Sequence, residues 1–456
     1  MTASRVVLLV SVTTALLAWL VQWGVLGVAF PHWSDGHGLL KGDDASAFNQ
    51  VAINQAEMIA AQGWSAWQLR PNGWGVSGIL SGWYALTWPS PAAFVPVQAL
   101  LYGIAAGCLF VIFRAITGQH RVAVWGLLPL FFPSSAVIYA QPHRDIFVFF
   151  GLMLVLLAWA QWALLMSGDR SARPIPWLLA AVALLVGYGA VWVVRPYAAE
   201  VLLAINLLLL ALASVLVGLR ALQQRRIEMP GLMALSGALV AIVLASQLEM
   251  TRSFDQIYAK ERAGAEQVAD SEQSAAMAEE AALSQHWKSS AWLPSPVDDQ
   301  FRRLATARDS FAIENHVARS AIDLDRRFGE WGDVIAYTPR ALSIGLLAPF
   351  PAEWRPHPSA PANRNLERVL AGVEMTVFYG LLPFLIIGVY QWRHQRPLWF
   401  ALLPAAVWLM VYSYTVPVVG ALVRYRFPAY VLILGLALVT LVVCVNRWRG
   451  RDEGLR

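Results

Sequence analysis

The sequence predicts an all-α polytopic membrane protein of about ten transmembrane helices, and three observations carry that prediction. Hydrophobic residues make up 58% of the 456-residue chain and charged residues only 14%, against about 45–50% and about 25% in an ordinary soluble domain. The mean hydropathy is +0.52, so the charged surface that two or three soluble domains would need is not there. Apolar runs of about twenty residues, the length that crosses a bilayer as a helix, recur from Arg5 to Val445. The short, strictly alternating segments of a membrane β-barrel are not found.

Read in order, the runs predict spans at roughly 6–29, 92–113, 122–140, 146–166, 177–194, 199–218, 231–249, 370–391, 398–413 and 428–446. The first, from Val6 to Phe30, exceeds a signal-peptide core and lacks a small-x-small cleavage site, so it is expected to stay as a membrane helix. The short connections alternate in charge. One set carries Arg114 and Arg121, Arg170 and Arg173, Arg220, Arg225 and Arg226, then Arg393 and Arg396, with Arg5 at one end and Arg447, Arg449, Arg451 and Arg456 at the other. With ten spans these fall on one side, which the positive-inside rule makes the cytoplasm, with both termini there.

Two long segments, 31–90 and 250–369, are then expected on the outer side. This divides the chain into an N-terminal transmembrane module (1–249), an extracytoplasmic region (250–369) and a C-terminal transmembrane module with a cytoplasmic tail (370–456). Within the second segment, Ser253 to His286 has good helix composition. The stretch 341–351 is apolar but too short to span, and reads as re-entrant or interfacial. Tryptophans such as Trp33, Trp83, Trp88, Trp287, Trp292 and Trp354 cluster in these outer segments, as in an aromatic belt.

Composition also excludes. The formal charge of +5 comes from 34 basic and 29 acidic residues, and the basic ones form no single patch, so nucleic acid is not an expected partner. The two cysteines, Cys108 and Cys444, both lie inside predicted spans and give neither a disulfide framework nor zinc spacing. No Walker or Rossmann loop is present.

The candidate chemistry sits at the outer ends of the spans. In the first long segment Asp43 and Asp44 precede Phe48, Val51, Ala52 and Ile59 at helical spacing. Asp44 reads either as the N-cap of that helix, with Asp43 favoured by the helix dipole, or as a general base held at the membrane surface. A second constellation is Pro142-His143-Arg144-Asp145, where Asp145 opens the fourth span and reads as an N-cap neutralised by Arg144, or as a second functional acid. Asp44 and Asp145 together offer oxygen ligands for a divalent ion such as Mg or Mn. Arg195, Arg424 and Arg426 break the arginine asymmetry. An arginine in or beside a span is usually paired or functional and matches phosphate geometry. The other reading is ordinary snorkelling. His32, His37 and His143 read as solvated loop histidines, and Asp298-Asp299 as a helix cap.

With these residues set out, the chain resembles the GT-C superfamily of polytopic glycosyltransferases that use polyprenyl-phosphate-linked sugars, of the aminoarabinose transferase and protein O-mannosyltransferase type. Asp43-Asp44 with Phe48 looks like the family's acidic motif, followed by the course from Trp64 through Arg70-Pro71-Asn72-Gly73 to Leu86. Asp145 matches its second acid, and Arg424, Arg426 and Pro428 match the approach to its last helix. The likeness covers roughly residues 1–165 and the last forty. Asp-Asp replaces the commoner Asp-Glu, which leaves Asp43 against Asp44 open, the aromatic spacing favouring Asp44.

The resemblance implies a membrane glycosyltransferase of the bacterial inner membrane with its site on the outer face. A lipid-linked sugar is the donor, and an extracytoplasmic lipid, glycan or protein is the acceptor. Asp44, Asp43 and Asp145 would be catalytic or orienting, and Arg144, Arg195, Arg424 and Arg426 would hold the donor phosphate. A surface-polysaccharide polymerase or ligase is the related alternative, and a lipid-glycan flippase or assembly partner the alternative outside catalysis.

Overall fold

The computed structural model describes residues 2–167, 175–225, 228–250, 287–316, 318, 320–358 and 362–450. Among them the regular structure is helical, with two isolated β-bridges. Among the described residues nine helices are long and apolar enough to cross a membrane. They are α1 (Ala3–Ala29), α4 (Pro91–Thr117), α7 (Arg144–Ser167), α8 (Trp177–Val194), α9 (Pro196–Gln224), α10 (Met229–Met250), α13 (Ala362–Gln391), α14 (Arg396–Thr415) and α15 (Val419–Trp448). The chain is a multi-pass membrane protein.

The span predicted over 122–140 is not one straight helix. It is a pair, α5 (His120–Phe131) and α6 (Pro133–Ala140), bent by 69°. Pro129 and Pro133 flank the bend, and each proline lacks the N–H that would carry a helix through it.

The chain divides into two compact units: Met1–Phe254 with Gly380–Ala405 and Val431–Arg456, and Asp255–Tyr379 with Ala406–Tyr430. The first is a helix bundle in which α4 packs against α1 and α7, and α7 against α8. Glycines let these backbones approach. A Cβ on Gly103 would stand 2.0 Å from Ser11 Oγ, and one on Gly151 2.4 Å from the Gly187 carbonyl. Small residues at such crossings are how membrane helices gain packing without a hydrophobic drive.

The first long segment of this unit folds as two helices, α2 (Asp44–Gln62) and α3 (Gly75–Leu86), packed on each other. The apolar face expected on α2 is inward, with Phe48, Ala52 and Ile59 buried. Polar bonds join the pair: Ser77 Oγ donates to the Phe48 carbonyl at 2.9 Å and the Tyr84 hydroxyl to Asn49 Oδ1 at 2.7 Å.

The second unit contains α11 (Ser295–Glu314) and α12 (Trp331–Leu347), which pack together. The helix expected over Ser253–His286 lies outside the described residues. Asp298 is not the cap of α11, which begins at Ser295. It lies in the first turn and accepts from Trp287 Nε1 at 3.1 Å and the Ser290 amide at 3.4 Å. The first part of the apolar stretch 341–351, to Leu347, is the end of a longer helix: α12 starts ten residues earlier, behind a reciprocal Glu330–Asp333 capping box.

Candidate functional site: a pinned turn with paired carboxylates

The turn from Ala140 to His143 joins α6 to α7, and four elements of the first unit converge on it. Gln22 of α1 donates to the Ala140 carbonyl at 2.7 Å, and Gln98 of α4 donates to the Gln141 carbonyl at 2.5 Å. The Leu40 amide donates to Gln141 Oε1 at 3.0 Å. His143 Nε2 meets Asp43 Oδ1 at 2.9 Å, with both side chains buried. Burial demands these bonds, since an unpaired buried amide or carboxylate is costly.

Asp43 does two things. It is the N-cap of α2, in extended conformation, and its carboxylate accepts from the Ala45 amide at 3.2 Å. Asp44 is therefore not the cap but the first helical residue, and it is exposed. The sequence cannot separate neighbouring aspartates as caps because the distinction is a backbone dihedral: the cap residue must leave the helical region.

Asp145 lies in the first turn of α7. Its partner is not Arg144 but Arg195, whose guanidinium stands 2.7 Å from Asp145 Oδ1, both side chains nearly inaccessible. Arg195 is also the single residue between two spans, the C-cap of α8 and the N-cap of α9. Arg70 reinforces the same helix end, donating to the Val193 carbonyl at 3.0 Å and lying 4.3 Å over the Trp192 ring.

Arg144 points elsewhere. It is half-buried, its guanidinium lies 5.1 Å over the Phe48 ring, and it makes no hydrogen bond or ion pair among the described residues. The four arginines read as phosphate ligands thus separate. Arg195 is committed to Asp145. Arg426, in the second unit, is 2% exposed and donates to the carbonyls of Ile344, Gly345 and Ala348. Arg424 is half-buried on α15, also in the second unit.

Sequence reasoning missed His143, which is 1% exposed rather than solvated. His32 and His37 are exposed as expected. The usable signal was Gln22, Gln98 and Gln141, amides inside or beside apolar runs that had to find partners. Among the described residues no group of three or more His, Cys, Asp or Glu side chains is assembled around a metal-sized space. Of the two carboxylates expected to share a Mg or Mn ion, Asp145 is buried with its Oδ1 on the Arg195 guanidinium, whose charge opposes a second cation there, and Asp44 is exposed.

The fold and this cluster define a class, a multi-pass helical membrane protein with buried ion pairs at one end of its first bundle. Compared with known proteins, the chain matches no family model, no curated protein and no solved structure.

Proposed function

We propose that the protein is a membrane glycosyltransferase that moves a sugar from a polyprenyl-phosphate-linked donor to a lipid, glycan or protein hydroxyl outside the cytoplasm. One observation supports the reading above the others. The exposed carboxylate of Asp44 stands next to the buried Asp43–His143 pair, and Arg144, the first residue of α7, lies over Phe48 of α2 without an anion of its own among the described residues.

In this reading Asp44 takes the proton of the acceptor hydroxyl as its oxygen attacks the anomeric carbon. The bond from that carbon to the phosphate oxygen breaks, and the electron pair leaves on the polyprenyl phosphate. Arg144 meets the charge that develops there, a role in which guanidinium geometry suits phosphate. Asp43 and His143 hold the first turn of α2 in register, and the Asp145–Arg195 pair positions the start of α7. The arginine-rich connections support placing both termini in the cytoplasm and the site on the opposite face of a bacterial inner membrane.

The test is a profile of lipid-linked sugars and envelope glycans in cells lacking the protein, complemented with wild type or Asp44→Asn. Loss of one glycan modification with its donor lipid accumulating, restored by wild type alone, is the expected result. Full rescue by Asp44→Asn overturns the base assignment and returns the function to a flippase or an assembly partner.

A further inference from the structure

We propose that α12 is a re-entrant helix: its C-terminal half dips into the hydrocarbon of the bilayer, turns at Ala348–Phe350 and returns to the face it came from. The inference is independent of the glycosyltransferase reading.

It rests first on where the backbone hydrogen bonds go. A helix end leaves carbonyls without intrahelical donors, and inside a bilayer no water replaces them, so irregular backbone survives there only where protein satisfies it. The end of α12 is served in this way. The Ile344 carbonyl still accepts from the Ala348 amide at 3.1 Å, but beyond it Arg426 donates to the carbonyls of Gly345 and Ala348, the Tyr379 hydroxyl to Leu347 at 2.6 Å, and Trp354 Nε1 to Pro349 at 2.8 Å. At a wetted helix end, water would serve.

It rests second on how polarity changes along α12. The exposed charges, Asp333 and Arg340, lie in the first part, and Arg340 is held by Asp323 at 2.8 Å. Ala341 to Leu347 carries none. That segment is about 10 Å long, enough to enter the hydrocarbon but too short to cross its roughly 30 Å. Its inner side, Ala341, Ile344 and Gly345, is buried, while Leu342 is 42% exposed. A leucine facing outward there is what acyl chains would cover, and Arg340 marks the level of the polar boundary.

Spin-label accessibility tests this on full-length protein in phosphatidylcholine–phosphatidylglycerol nanodiscs, in a Cys108→Ala, Cys444→Ala background. Single labels are placed at Asp333→Cys, Ile335→Cys and Leu342→Cys, with Val377→Cys on α13 as the lipid-facing reference. The expected result is a gradient: a several-fold higher ratio of oxygen to nickel-chelate collisions at Leu342 than at Asp333, approaching Val377, with Ile335 between. Equal shallow depths at Ile335 and Leu342 would mean a helix lying in the membrane plane and would overturn the proposal. Nickel accessibility at Leu342 matching Asp333 would overturn it as well. If the Leu342 variant does not fold, Leu346→Cys gives the same reading.

Discussion

Arg195 and Arg426 come from the same kind of sequence, an arginine beside an apolar span, and the two units use them in opposite ways. In the first unit Arg195 meets a carboxylate, Asp145, so a buried charge answers a buried charge. In the second, Arg426 is spread over three backbone carbonyls at the end of α12, with the Tyr430 ring 4.7 Å away. The difference teaches that buried cations are retained for two distinct debts, an ionised side chain in one case and unsatisfied main chain in the other.

The comparison breaks first at Arg195. Arg195→Met leaves the Asp145 carboxylate buried without its cation, and a broken buried pair costs about 3–5 kcal/mol. Thermal unfolding in nanodiscs should show this as the largest loss of the series, and Asp145→Leu added to it should recover much of the loss. If the single and double variants melt alike, the pair is not what the burial implies.

Arg426→Met should cost less: the Gly345 and Ala348 carbonyls lose a donor at about 1–3 kcal/mol each, offset in part because a desolvated cation goes with it, and among the described residues there is no acidic partner whose removal would restore it. Arg426→Lys should recover only part, because one ammonium does not reproduce the planar fork. Full recovery with lysine would mean that charge, not geometry, holds the end of α12.

Arg144 sharpens the contrast further. It satisfies nothing polar among the described residues, so Arg144→Ala should shift stability by no more than about 0.5 kcal/mol while sugar transfer falls sharply in a vesicle assay. A variant that unfolds, or one with unchanged transfer, removes Arg144 from the proposed chemistry.

Of the two ion pairs, Asp145–Arg195 and Asp323–Arg340, the second is expected to contribute less to stability. The Arg340 guanidinium bonded to Asp323, helped by the Tyr337 hydroxyl, holds its carboxyl below the ordinary range against the opposing effect of burial. A carboxyl whose folded pKa is depressed stabilises the protein above its unfolded pKa of about 3.9. That contribution is lost as pH falls through the lower folded value. Because the pair is partly exposed, Asp323→Asn should cost under about 1 kcal/mol. The gap between variant and wild type should be constant near neutrality and close only below about pH 4. A gap that persists in acid would show that packing, not charge, makes the contribution.

Much of the transmembrane architecture was legible in the residues. The span predicted over 177–194 coincides with α8, and that over 146–166 falls within α7. The inward face of α2 followed from the spacing of Phe48, Ala52 and Ile59. Hydropathy reports burial in lipid, and helical period reports which side packs, so both are local properties of the chain. The bend between α5 and α6 was signalled by Pro129 and Pro133, but its 69° angle was not.

The candidate site was legible only as an inventory. Composition and order determined that this chain crosses a membrane many times, that its acidic and basic groups gather at span ends, and that Asp43, Asp44, Asp145 and Arg195 merit attention. Tertiary structure alone decided that Asp43 takes His143 from a hundred residues away, that Asp145 takes Arg195 rather than its neighbour Arg144, and that Arg426 serves a helix end. The physical reason is that a buried polar group must be satisfied by whatever the packed helices bring within about 3 Å. That neighbour is set by helix crossings, to which adjacency in sequence gives no guide.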